Sequence, residues 1–205
     1  MELLDEGWHC VKGVEFWRSG VDMKNLFVGI LSLGLLCGCT TMNIEDFKNT
    51  KPELVLEEYF AGKVNAYGIF EDRFGNLRRQ FTVDINGSWD GQKLVLDERF
   101  IYSDGETDHR EWIIRKIGDG EYRGRAGDVI GEAQGIARGN ALNWRYDMDL
   151  KMGSGTLRVH FNDWMFLQSR GVLLNRATVS KFGIKIGTVT LAFVRDEKHP
   201  RSSNN

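Results

Sequence analysis

The sequence predicts an all-β protein: an antiparallel up-and-down β-barrel of about eight to ten strands with a short N-terminal helix. Three observations carry this. After Gly62, short runs with period-two alternation follow one another, separated by clusters such as "FGN" at 74–76, "SDGE" at 103–106 and "GSG" at 153–155. That spacing is the signature of hairpins joined as a meander. The alternation also assigns faces. In "ALNWRYDMDL", Leu142, Trp144, Tyr146, Met148 and Leu150 share one side and must face a core, while Asn143, Arg145, Asp147 and Asp149 share the other and face water. Finally, no amphipathic stretch of helical length alternates with these runs, which argues against a parallel βαβ sheet. About ten strands in so short a segment favour a closed barrel, which leaves no exposed edge; a two-sheet sandwich is the alternative.

Residues 1–22 carry Glu2, Asp5, Glu6, Glu15 and Asp22 against Lys12 and Arg18. An acidic leader opposes the positive-inside bias that orients a signal peptide. Translation is therefore expected to start at Met23, with residues 1–22 as upstream sequence; a cytoplasmic extension is the rival. Residues 23–38 read as a signal peptide. Lys24 supplies the positive start, and Leu26–Cys37 is an apolar run shorter than the roughly 20 residues a helix needs to span a bilayer. The run ends Leu36-Cys37-Gly38-Cys39, which resembles a bacterial lipobox with cleavage after Gly38 and lipid on the Cys39 thiol. A short buried segment with incidental cysteines is the alternative.

Residues 39–51 read as a polar tether. "PELVLEEYF" at 52–60 opens with Pro and carries acids in and after its first turn, so one or two helical turns are expected. Strands are expected at about 63–72, 77–86, 92–103, 107–117, 120–126, 129–138, 141–150, 155–167, 171–180 and 184–195. They lie within a barrel domain of residues 52–196, and 197–205 read as a disordered tail.

Several residues interrupt this pattern. In "VIGEAQGIARG", Gly131, Ala133, Gly135, Ala137 and Gly139 fall on one face with almost no side-chain volume. Facing inward, they would leave room for a ligand, unless Trp112 or Trp144 fills the space or the glycines serve strand coiling. In "LRVHFNDWMFL", Asp163 lies in phase with Phe161, Met165 and Leu167. An acid on an apolar face must be paired or change its protonation state. Arg176, in phase with Val172 and Leu174, is the expected interior partner; a ligand head-group site at the same place is the functional reading. In "EDRFG", Asp72 and Gly75 suit a turn, with Arg73 paired across the hairpin. The functional reading makes Asp72 and Arg73 an anchor for a ligand at the barrel mouth.

Composition excludes much. Without residues 1–38 the chain holds 24 Lys+Arg and 24 Asp+Glu, a balance that gives no support to nucleic-acid binding. Cys39 would then be the lone cysteine, so no internal disulfide is expected. The histidines, at 9, 109, 160 and 199, show no metal-ligand spacing. No metal and no cofactor are expected. No GxSxG elbow or phosphate-binding loop occurs.

The stretches "GIFEDRFGNLRRQFTVDINGSWDG" (68–91), "DGETDHREWIIRKIGDGEY" (104–122), "GNALNWRYDMDL" (139–150), "FNDWMFL" (161–167) and "NRATVSKFGIKIGTVTL" (175–191) are similar to those of Gram-negative lipoproteins in the uncharacterised domain-of-unknown-function family 3833. The resemblance implies a lipocalin-like barrel attached to a membrane, and no known reaction. Three functions are weighed. The favoured one is a binding module, anchored through lipid on Cys39, that holds an apolar or lipid-like ligand such as a fatty acid. The others are a structural lipoprotein whose packed barrel contacts another envelope protein, and an enzyme acting on membrane lipid with Asp163, His109 or Glu106 as acid–base groups. The expected location is the cell envelope, at the outer membrane facing the periplasm, because Thr40 rather than Asp follows the cysteine.

Overall fold

The computed structural model describes residues 42–152 and 155–195. The leader, the signal peptide with Gly38 and Cys39, and the C-terminal tail fall outside them. The described chain forms ten antiparallel strands: β1 (Gly62–Asp72), β2 (Leu77–Trp89), β3 (Lys93–Tyr102), β4 (Thr107–Gly118), β5 (Glu121–Arg125), β6 (Val129–Arg138), β7 (Ala141–Met152), β8 (Gly155–Leu167), β9 (Leu173–Lys181) and β10 (Ile184–Arg195). Each pairs with its neighbour in sequence, and β1 pairs with β10, so the sheet closes on itself. Closure satisfies every strand edge within the sheet. The sandwich alternative is excluded.

The expected strands match the observed ones closely, with one notable difference. The strand expected to end at Asn86 runs on: β2 continues through Gly87 and Ser88 to Trp89, with Asn86–Trp89 paired to Leu94–Asp97 of β3. Gly87 is needed there for close approach. A Cβ at this position would lie 1.8 Å from the Phe60 carbonyl oxygen, so only a residue without a side chain lets the helix meet the strand.

That helix, α1 (Leu56–Phe60), starts four residues after Pro52. It closes one end of the barrel. Phe60 meets Phe193 edge to face at 5.5 Å, and the Tyr59 hydroxyl donates to the carbonyls of Gly171 and Phe193 at 2.9 and 3.0 Å. Glu57 accepts from Lys116 Nζ and from the Tyr122 hydroxyl, both at 2.8 Å. Burial pushes the Glu57 carboxyl up, but these hydrogen bonds outweigh it and hold the group below its ordinary value. A 3-10 turn at Ile44–Phe47, in the segment expected to be a tether, lies on the outside of the barrel, with Phe47 against Trp164 and Phe166 at 6.0 and 5.4 Å. Thr50 donates to Asn140 Oδ1 at 2.6 Å.

In β2 and β7 the interior faces follow the predicted phase. Leu142, Trp144, Tyr146 and Met148 are buried, as are Val83 and Ile85 of β2. Asn143 was expected to face water. It is buried instead, donating to Asn162 Oδ1 at 2.7 Å and to the Asp163 carbonyl at 3.0 Å.

Candidate functional site

The barrel is not filled. A cavity of about 1200 Å³ runs from α1, where Leu56 and Phe60 form its floor, to the hairpin ends at the other side, where Arg79, Glu106 and Lys151 border it. The walls are mostly apolar and aromatic. Trp112 stands edge-on to Trp144 and to Tyr146, at 5.7 and 5.3 Å, and Tyr146 stacks on Phe161 at 5.0 Å. Strand β9 contributes the smaller side chains Asn175 and Ala177, which leaves the wall recessed there.

Two polar stations interrupt these walls. The first is ionic. Glu98 of β3 and Arg110 of β4 are directly paired in register, and the guanidinium lies 4.0 Å from Glu98 Oε2. Arg110 also donates through Nε and an Nη to Asp128 Oδ2, at 3.0 and 2.9 Å, and sits over the Phe100 ring. Desolvation pushes the Glu98 carboxyl up to about 7, opposed by Arg110 and reinforced by Asp128. Desolvation alone would lower Arg110, but the facing carboxylates outweigh it and raise the guanidinium above its ordinary value, keeping it charged.

The second station is deeper and less satisfied. Asp163 of β8 and Asn175 of β9 sit near the closed end, 6% and 2% exposed. Asp163 Oδ1 and both amide atoms of Asn175 have no hydrogen-bond partner among the described residues. Desolvation raises the Asp163 carboxyl to about 7; the nearby Asn175 amide and the Arg110 charge oppose the rise without cancelling it. Tyr146 lies between the stations, its hydroxyl pushed well up by burial and by Asp163. Buried polar groups left unpaired cost roughly 1–3 kcal/mol each, so they stand out in a wall of otherwise apolar side chains.

Some residues singled out from sequence lie elsewhere. Asp163 points inward, but Arg176 does not join it. Leu173, Asn175, Ala177 and Val179 face the interior, which puts Arg176 on the exposed side, opposite Trp164. The neighbour of Asp163 is Asn175, and the expected ion pair does not exist. Asp72 is a turn cap rather than a ligand anchor, accepting from the backbone N–H of Phe74 and Asn76 at 2.9 and 3.0 Å. Its ionic partner is Arg78, at 2.6 Å, so the expected cross-hairpin role of Arg73 falls to Arg78. Arg73 lies over the Phe74 ring. Hydrogen bonds from Asn76, Arg78 and Phe74 overcome desolvation and hold the Asp72 carboxyl well below its ordinary value.

His109 is on the outer face of β4, paired with Asp97. Glu106 is at the rim, paired with Arg79, whose guanidinium stacks 3.6 Å over Tyr102. Asp163, His109 and Glu106 therefore do not converge as an acid–base set. Glu98, Arg110 and Asn175 are not among the residues singled out above, although each is in phase with apolar residues: Glu98 with Leu94, Leu96 and Phe100, Arg110 with Trp112 and Ile114, Asn175 with Leu173, Ala177 and Val179. The low-volume face of β6 is not the ligand space, because Trp144 covers Gly135 and Gly124.

No curated protein matches the chain in sequence. Among solved structures, the S-type phycobiliprotein lyase CPES from Guillardia theta shares the fold, with a TM-score of 0.52 and 9% identity, over 76% of this chain and 94% of the other. At that identity the likeness is one of architecture, a lipocalin-like barrel. Residues 33–195 match the family model described as "Protein of unknown function (DUF3833)", and with the whole barrel inside that match, the chain belongs to this family.

Proposed function

We propose that this protein is a lipid-anchored envelope protein whose barrel carries one amphipathic small molecule. The observation that supports this best is the open, apolar-walled cavity of about 1200 Å³ with polar groups set into its depth. Ligand pockets are concave, mostly apolar, and carry a few placed polar groups; their volumes run to about 1,000 Å³, and this cavity stands at the upper end or slightly above. Small barrels either fill with side chains or hold one small ligand; the recess at Asn175 and Ala177 favours the second. The neighbouring structure is named as a lyase of phycobiliproteins; it lends this chain a barrel, not a reaction.

Anchoring rests on Cys39 and its lipobox-like context. Two or three acyl chains, at about 0.8 kcal/mol per buried CH₂, hold a protein to a membrane effectively permanently. Cys39→Ser should leave an unprocessed or soluble form; unchanged membrane fractionation and mobility would reject the anchor.

Native mass spectrometry of the purified protein, before and after delipidation, tests the carrier reading. A bound small molecule that delipidation removes and Ala177→Phe prevents is the expected result. A barrel that neither retains nor takes up any amphipathic molecule would reject it.

A further inference from the structure

We infer that the ligand presents a hydrogen-bond-donating group, an alcohol or an amine, to Asp163 and Asn175 at the end that enters first, and is not a simple fatty acid. The inference rests on the carrier reading and adds the chemistry of the ligand.

Asn175 is 2% exposed and borders the cavity, and neither its amide atoms nor Asp163 Oδ1 has a partner within 3.5 Å; the amide still lies near enough to the Asp163 carboxyl to favour its charge. Buried polar atoms are paired in folded proteins, by protein, water or ligand. A fatty acid matches these atoms poorly in either direction: an ionised carboxylate can accept from Asn175 Nδ2 but has no proton for Asp163 Oδ1 or Asn175 Oδ1. Tail first, its terminal methyl would meet these atoms and leave them unpaired. Head first, its carboxylate would meet Asp163, with Glu98 and Asp128 also bordering the cavity. The cavity cation set below the rim is Arg110, and it is already engaged by Asp128 and Glu98. The other basic lining side chains among the described residues stand near the rim, and there Arg78 is paired with Asp72, Arg79 with Glu106 and Arg125 with Glu132.

An alcohol matches the site. Its O–H donates to Asp163 Oδ1 or Asn175 Oδ1, and its oxygen accepts from Asn175 Nδ2. An ammonium donates to both oxygens and meets the acidic surroundings with opposite charge. The aromatic wall of Trp112, Tyr146 and Phe161 lies along the path of the attached apolar chain, between the two polar stations.

The test uses delipidated full-length protein and three probes of equal chain length at pH 7.5: 1-dodecanol below its solubility limit, and dodecylammonium and dodecanoate below their micellar concentrations. Displacement of N-phenyl-1-naphthylamine, a neutral fluorescent dye, reads binding. The alcohol and the ammonium should bind at least about tenfold more tightly than dodecanoate, the effect of one well-placed polar contact. In Asn175→Leu the dye should still bind and the preference for the alcohol should shrink to about twofold or less. Asp163→Asn keeps the shape of the site and should lose the preference for the ammonium while keeping that for the alcohol. Dodecanoate binding as tightly as the alcohol, or an unchanged preference in both variants, would overturn the inference and leave the carrier reading standing. Failure of the dye and of every probe to bind wild-type protein would overturn both.

Discussion

Gly135 and Trp144 face each other across the β6–β7 ladder, and the indole takes the space a side chain at residue 135 would need. A Cβ there would lie 2.2 Å from the tryptophan ring. Gly124 of β5 accepts another part of the same ring, at 2.6 Å. The run of small residues in β6 is thus a seat for a tryptophan that is 4% exposed.

Gly135→Val should therefore destabilise the barrel, since overpacking a tight core typically costs about 1–3 kcal/mol. Trp144→Ala should cost about 3–5 kcal/mol through the cavity it leaves. Combining Gly135→Val with Trp144→Ala should be less harmful than the sum of the two, because residues in contact do not act independently. Urea unfolding of the four proteins gives the comparison. Strict additivity would show that the ring does not rest on the glycine.

Arginine position decides a second contrast. Arg110 neutralises buried Glu98 and half-buried Asp128, so Arg110→Ala should cost up to about 3–5 kcal/mol by leaving both carboxylates without a counter-charge. Arg176 is exposed on β9, and Arg176→Ala should stay within about 0.5 kcal/mol of wild type. Replacing Glu98 and Arg110 together by Leu and Met should restore much of the loss. Equal effects at residues 110 and 176 would contradict the observed strand phase.

The phase of β9 also shows where sequence reading stops. Strand existence was legible because period-two runs are bounded by glycine turns, and β7 could be assigned face by face. "GVLLNRATVSK" opens with three apolar residues in a row, Val172, Leu173 and Leu174, so its start carries no phase. Starting from Val172 and Leu174 turns Arg176 inward; the structure starts from Leu173, which turns Asn175 inward instead. A one-residue slip exchanges every side chain between faces, and with it the partner of Asp163. The polar stations had a visible signal, since Glu98 and Arg110 share phase with apolar neighbours. Whether the barrel is hollow had none. That depends on how volumes from strands distant in sequence sum across the interior, as when Trp144 of β7 fills the space above Gly124 of β5.

Phe182 occupies a position that disfavours it. It sits at the tip of the β9–β10 hairpin with φ of 51°, followed by Gly183 at 77°, the positive pair that two-residue hairpins reserve for Asn-Gly and Gly-Gly. The side chain is 92% exposed, so little packing offsets the strain. Phe182→Asn should stabilise the protein by about 0.5–1 kcal/mol and raise Tm by roughly 1–4 °C. A lower Tm in this variant would show that the phenyl ring contributes more than its backbone conformation costs.

Asp163 makes stability depend on pH in an uncommon direction. Its carboxyl titrates near 7 in the folded protein because burial disfavours the charge, against about 3.9 in an unfolded chain. Between those values the folded state binds the extra proton, so stability falls as pH rises and the loss is complete above about 7. Three units correspond to roughly 4 kcal/mol as an upper bound. Glu98, also raised to about 7, acts in the same direction, while Arg110 opposes both, and Tyr146 and Asp128 complete the surroundings. The lowered carboxyls of Glu57 and Asp72 work the other way, but only at more acid pH, where their stabilisation is lost on protonation. Asp163→Asn keeps the shape of the protonated acid and removes its titration. The variant should match wild type near pH 5, exceed it in stability at pH 8, and show a shallower fall of Tm between the two. Thermal unfolding of both proteins across that range measures it. Parallel Tm curves would mean that Asp163 is hydrated and ionised in the folded barrel, with no proton retained from burial.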